Sequence, residues 1–156
     1  MQKPVPVSSI LRFVAAAALV MTAVLLPSGA SAQVASFVVV VNITNPTSNI
    51  PKSELAALFT KKTQEWEDGT AAFPVDLPDD DPIREAFTQV VHGKSPRAIR
   101  AYWQQQIFAG RQVPPPERSS DEQVLAYVRT TVGAVGYVRA TARLGPGVKV
   151  VGLIAR

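Results

Sequence analysis

The chain has no cysteine and only one histidine, His92, among its 156 residues. The first absence excludes disulfides, thiolate metal sites and thiol nucleophiles. The second excludes any paired-histidine metal motif. His92 stands beside Gly93 at an expected helix end, where an imidazole reads as a solvated partner of the helix dipole. There is no Gly-x-Ser-x-Gly elbow, no Walker-type loop and no Gly-x-Gly-x-x-Gly turn. No base and nucleophile can be assembled, so the residues point to a non-enzymatic protein without a cofactor. Long apolar runs are scarce as well. The one that stands out, Phe13 to Leu26, is shorter than the roughly 20 residues that span a bilayer.

That run has the setting of a secretory signal peptide. Lys3 and Arg12 precede it without any acid, and "PSGASA" follows, with Ala30 and Ala32 at the small-residue positions of a cleavage site. The expected organisation is a signal peptide over 1–32 and one domain over 33–156, exported to a bacterial periplasm. Removing Lys3 and Arg12 leaves 14 basic and 12 acidic side chains, a net charge of +2. That near-neutral balance gives no reason to expect nucleic acid as a partner. A domain of this size, without disulfides, must be held by a packed core.

Apolar strands alternate with amphipathic helices along the remainder. "SFVVVVNI" (Ser36 to Ile43) is a continuous β-branched run, the pattern of a strand covered on both faces. A helix follows in "KSELAALFTKK", with Leu55, Leu58 and Phe59 on one face. "EWEDGT" makes a turn at Asp68-Gly69, and "AFPVDL" a second strand. Asp81 and Pro82 supply a cap and a first-turn proline for a helix whose stripe is Ile83, Phe87, Val90 and Val91, ending at Gly93. Ser95-Pro96 repeats the device for a helix lined by Ile99, Tyr102, Trp103 and Ile107. "RQVPPPERSS" is an extended connector, after which Ser119 and Glu122 form a capping-box pattern. Two strands close the chain, "GAVGYV" and "VKVVGL". The order β-α-β-α-α-α-β-β predicts an α/β domain with a mainly parallel sheet flanked by helices.

The stretch with most chemical character is "PVDLPDDDPIREAF", Pro74 to Phe87, where a strand meets a helix start through Asp79, Asp80 and Asp81. Adjacent side chains diverge and the turn has no glycine, so it is not a calcium loop. The favoured reading is that Asp81 caps the helix and Asp79 and Asp80 are solvated. Trp103 reads as core and Trp66 as a plug at the domain edge. Lys94, Arg97, Arg100 and Arg111 form a basic face, either solvated or a dock for an acidic partner.

Taken in order, "VVVVNITNP", "SELAALF", the "EWEDG" turn, "FPVDLPDDDPIREAF" and "GAVGYV" resemble one lobe of the periplasmic phosphate-binding protein of the phosphate ABC transporter, in the type II periplasmic-binding-protein superfamily. The resemblance implies a single lobe of that fold. It also implies an anion held at the start of the helix beginning near Pro82, by backbone N–H groups and hydroxyls of a Ser-Gly-Thr turn. Counting back from "REAF", those positions are Asp81, Pro82 and Ile83 here, and a preceding arginine falls near Leu77. Proline removes a donor, isoleucine a hydroxyl, and aspartate adds negative charge. The expectation is a phosphate ABC transporter substrate-binding-like protein that works as a binding or interaction module, its phosphate site degraded. The alternative is a true ligand-binding lobe for phosphate or another small ligand. Its site would lie at the strand C-termini near Asn45, Asp80, Asp81 and Arg84, completed by a dimer or a partner protein.

Overall fold

The computed structural model describes residues 36–155. The leader expected over 1–32 lies outside the described residues. The elements are β1 (Phe37–Asn42), β2 (Asn49–Pro51), α1 (Lys52–Phe59), β3 (Phe73–Pro74), α2 (Pro82–Phe87), α3 (Pro96–Phe108), α4 (Asp121–Thr130), β4 (Ala134–Arg139) and β5 (Val148–Ile154). They follow the order expected from the sequence, with the three-residue β2 added. Among the described residues, no helix is long and apolar enough to cross a membrane.

The five strands form one sheet in the order β2-β5-β1-β4-β3. The two edge pairs are parallel and the two central pairs antiparallel, β1 running against both β4 and β5. The α/β lobe with flanking helices is as expected, but the sheet is mixed rather than mainly parallel. The apolar run of β1 carries no information on direction. Val39, Val40 and Val41 are buried because helices cover both faces, and that pattern is the same whichever way the neighbours run.

The two faces bury different chemistry. Asn42 Nδ2–H donates to the carbonyl oxygens of Val128 (2.9 Å) and Arg129 (3.1 Å), tying the end of β1 to α4. On that face a Cβ at Gly136 would come 2.7 Å from Val124 Cγ1 and 2.9 Å from Val75 Cγ1, so glycine lets α4 lie close to the sheet. The other face is aromatic. Tyr137 stacks on Phe87 with centroids 3.9 Å apart and planes 5° from parallel, and Phe37 and Phe59 close around them. Such a pair adds about 0.5–1.5 kcal/mol beyond area burial.

Local signals formed as read at most element ends. Asp81 and Ser95 cap their helices from the side chain, Gly93 is left-handed, and Gly69 turns the chain at φ 80°. The start of α4 is shifted by one residue. Ser120, not Ser119, is the cap, accepting from Gln123 N–H. Two stripe assignments also change. After Phe87 the chain makes a π-helical turn, Thr88–His92. A π turn takes one more residue than an α turn, so Thr88 and Val91 face the core while Val90 turns outward. Ile107 lies half exposed beside the fully projecting Phe108, because α3 leaves the body of the lobe before its last turn. Trp66 is buried, with its indole N–H donating to Gly133 O at 2.9 Å.

Candidate functional site

The segment after β3 carries the densest charge cluster among the described residues. β3 leads into Asp76, whose backbone N–H donates to Pro116 O (3.0 Å) and whose carbonyl accepts from Arg118 N–H (2.9 Å). The proline-rich connector is thereby held along the strand. The chain then turns, Asp81 N–H donating to Pro78 O at 3.0 Å, and enters α2. Asp81 Oδ1 accepts from Ile83 N–H at 2.8 Å, which satisfies one of the free donors at the helix start.

One turn into α2, Arg84 points back under this loop and is buried. Its guanidinium meets Asp76 at 3.4 Å, Asp79 at 2.9 Å and Glu117 at 2.8 Å, and it donates to the carbonyl of Leu77. Asp79 bridges outward to Arg100 of α3 at 3.1 Å. Asp76 also accepts from the hydroxyl of Tyr137 and from Leu77 N–H. Burial raises the Asp76 carboxyl above the usual carboxylate range; Arg84 and the Tyr137 hydroxyl oppose that rise, and the charge of Glu117 adds to it. Burial works against the charge of Arg84, but the surrounding acids outweigh it and hold the guanidinium ionised. Burial and the neighbouring Asp76 push the Tyr137 hydroxyl up, so it remains a donor.

A second guanidinium is neutralised in the same way. Arg139, at the end of β4, grips Asp81 through both carboxylate oxygens (2.8 and 3.0 Å) and pairs with Asp121 of α4 at 2.9 Å. Asp81 thus serves two purposes, cap and counter-ion. Asp79 is exposed, as expected, but is also ion-paired with Arg84 and Arg100, while Asp81 is mostly covered and held by Arg139. Asp80 is exposed as well and makes no side-chain hydrogen bond or ion pair among the described residues.

The expected constellation is therefore only partly assembled. Asp80, Asp81 and Arg84 lie on one loop–helix unit. Asn45 does not join them. Its side chain accepts from Thr47 N–H at 2.8 Å in a loop beside Val132 and Gly133, at the start of β4. Arg139 and Asp81 mark the other end of that strand, about 20 Å away at a strand's rise per residue. The antiparallel pairing is the cause. β1 runs against β4 and so ends beside the start of that strand, whereas the chain leaving β3 continues in the direction of β4 until Asp81 meets Arg139 at its far end. Sequence reasoning missed Asp76, Glu117, Tyr137 and Arg139 as members of the cluster. They come from three separate segments, and only Tyr137 and Arg139, two apart on β4, are neighbours in the chain.

His92 also differs from expectation. It packs edge-on against Phe87, with centroids 5.8 Å apart. Burial, followed by the charges of Arg84, Lys94 and Lys62, lowers its pKa to about 4. It is a neutral, half-buried imidazole rather than a solvated cation, because the π turn swings it inward.

No protein-family model matches the chain, and no curated protein matches it in sequence. Solved structures do match in fold. A phosphate ABC transporter substrate-binding protein of Clostridium perfringens, solved with bound phosphate, superposes with a TM-score of 0.59 at 16% identity, over 75% of this chain and 44% of its own. An ABC-type phosphate transport receptor of Vibrio cholerae gives 0.59 at 16% identity, over 75% and 45%. A protein of Planctomyces limnophilus described as phosphate-binding gives 0.59 at 18%, over 76% and 41%. At such identities the likeness is one of fold. The chain spans under half the length of each of these three structures, and it is similar to a single lobe of them.

Proposed function

We propose that this single-lobe chain, sharing the fold of phosphate-transport binding proteins, is an exported, non-catalytic binding module whose ancestral anion position is filled by its own carboxylates. The resemblance puts the anion at the start of α2, where Asp81 now accepts from Ile83 N–H and holds Arg139. That double occupation is the observation that carries the reading. The three arginines at the loop are already matched, Arg84 by Asp76, Asp79 and Glu117, Arg100 by Asp79, and Arg139 by Asp81 and Asp121. An incoming phosphate would have to displace tethered carboxylates and then sit beside them. At about 4 Å, two like unit charges repel by about 4 kcal/mol near a protein surface. Pro82 at the first helical position has no N–H to offer. A binding role, rather than a catalytic one, is supported by two of the matched structures, which are described as binding proteins.

Calorimetry with inorganic phosphate at neutral pH tests this. The expected result is no saturable heat. A dissociation constant of about 1 μM or tighter, about −8 kcal/mol, would overturn the reading. A triple change, Asp79→Asn, Asp81→Asn and Glu117→Gln, should leave Arg84 with Asp76 alone and Arg139 with Asp121 alone. It should produce a phosphate-dependent rise in thermal midpoint that the native chain does not show.

A further inference from the structure

A separate cleft opens between α1 and α3, away from the acidic loop. On α1, Ala56 and Ala57 present only methyl groups toward α3, and Ala98 and Ile99 face them across the gap. The result is an apolar floor in a half-open cavity of about 290 Å³. At about 30 Å³ for each water-sized group, that is room for about ten non-hydrogen atoms.

The mouth has the opposite character. Lys62, just after α1, and Lys94, just before α3, line it, and both are exposed. Among the described residues neither takes part in an ion pair, and no carboxylate lines the cleft. This contrasts with Arg84, Arg100 and Arg139, each of which is paired. Between mouth and floor stands His92, neutral at pH 7 and making no side-chain hydrogen bond among the described residues. A neutral imidazole has one N–H to donate and one nitrogen to accept. Two unmatched cations, one free N–H donor and a dry floor favour a ligand with a single negative head and a short apolar body. A bare phosphate gains from the cations but leaves oxygens against methyl groups, at the cost of their hydration.

We propose that the α1–α3 cleft binds a small organic carboxylate, its apolar body on Ala56, Ala57, Ala98 and Ile99 and its head held by Lys62, Lys94 and the His92 N–H. This site is independent of the acidic loop, so it stands whether or not the loop excludes phosphate.

His92 is the chain's one histidine, so in an untagged protein its imidazole resonances assign themselves. Titration with octanoate and phenylacetate, each of about ten non-hydrogen atoms, should move those resonances saturably, with a dissociation constant of about 1 mM or tighter. Lys62→Ala and Lys94→Ala should each weaken binding by up to about fivefold, the scale of an exposed ion pair. Ala98→Phe, at the exposed side of that apolar floor, should fill the cleft and abolish the shift without unfolding the chain, as checked by thermal melting. Inorganic phosphate at equal ionic strength should move His92 little. The proposal is overturned by absence of a saturable shift, by an equal response to phosphate, or by octanoate binding that survives Ala98→Phe.

Discussion

The buried imidazole makes stability depend on pH in a calculable way. His92 titrates at about 4 in the folded chain, against 6.5 for an unperturbed histidine. Between those values the unfolded chain binds a proton that the folded chain does not, so stability falls as pH drops from 6.5 toward 4 and levels off below. The linkage integral gives a loss of about 0.8 kcal/mol at pH 6 and about 2 kcal/mol at pH 5. Below pH 4 it approaches about 3 kcal/mol. These are upper values, since one side of the ring opens to the cleft. The groups facing His92 are Phe87 of α2, Arg84 beneath it, and Lys62 and Lys94 at the cleft mouth. Asp76 acts in the opposite sense. Its raised folded pKa means that the folded chain takes up a proton first, which adds stability as pH falls through that value. The comparison must therefore be between the native chain and His92→Gln, by urea unfolding at pH 7.5, 6 and 5 at constant ionic strength. The difference in unfolding free energy between the two proteins should shrink by the amounts above as pH falls. A pH-independent difference, or an imidazole titrating near 6.5, would refute the buried, cation-flanked placement of the ring.

Two further outcomes follow from the same coordinates. Asp81→Ala should cost about 1 kcal/mol for the lost cap and up to about 1 kcal/mol more for the Arg139 pair; the pair's share should fade at high salt in chemical denaturation. Gly136→Ala should destabilise by about 1–3 kcal/mol, because its methyl would enter the space of Val124 and Val75; paired Val124→Ala should recover part of the loss in a double-mutant cycle.

Several elements were legible because the interactions that make them span only a few residues. Asp81 to Ile83 and Ser95 to Ala98 are contacts within one helical turn, and the glycine ends at Gly69 and Gly93 depend only on local φ. The aromatic and β-branched stripes likewise announced which faces would be buried. The presence of charge at the acidic turn was also plain, but not its meaning.

What the sequence by itself determined, then, was the order and polarity pattern of the elements, the caps that start α2 and α3, and the proline without an N–H at the head of α2. Tertiary structure decided the direction of the central strands, which parted Asn45 from the acidic loop. It also decided the π turn that drew His92 inward and turned Val90 out, and the partners of Arg84 and Arg139, which lie as far as 58 residues apart in the chain. Caps and turns act within a turn of backbone and leave a trace in spacing. Strand direction and ion pairing depend on how distant segments cross, and the same residues in the same order are compatible with more than one crossing.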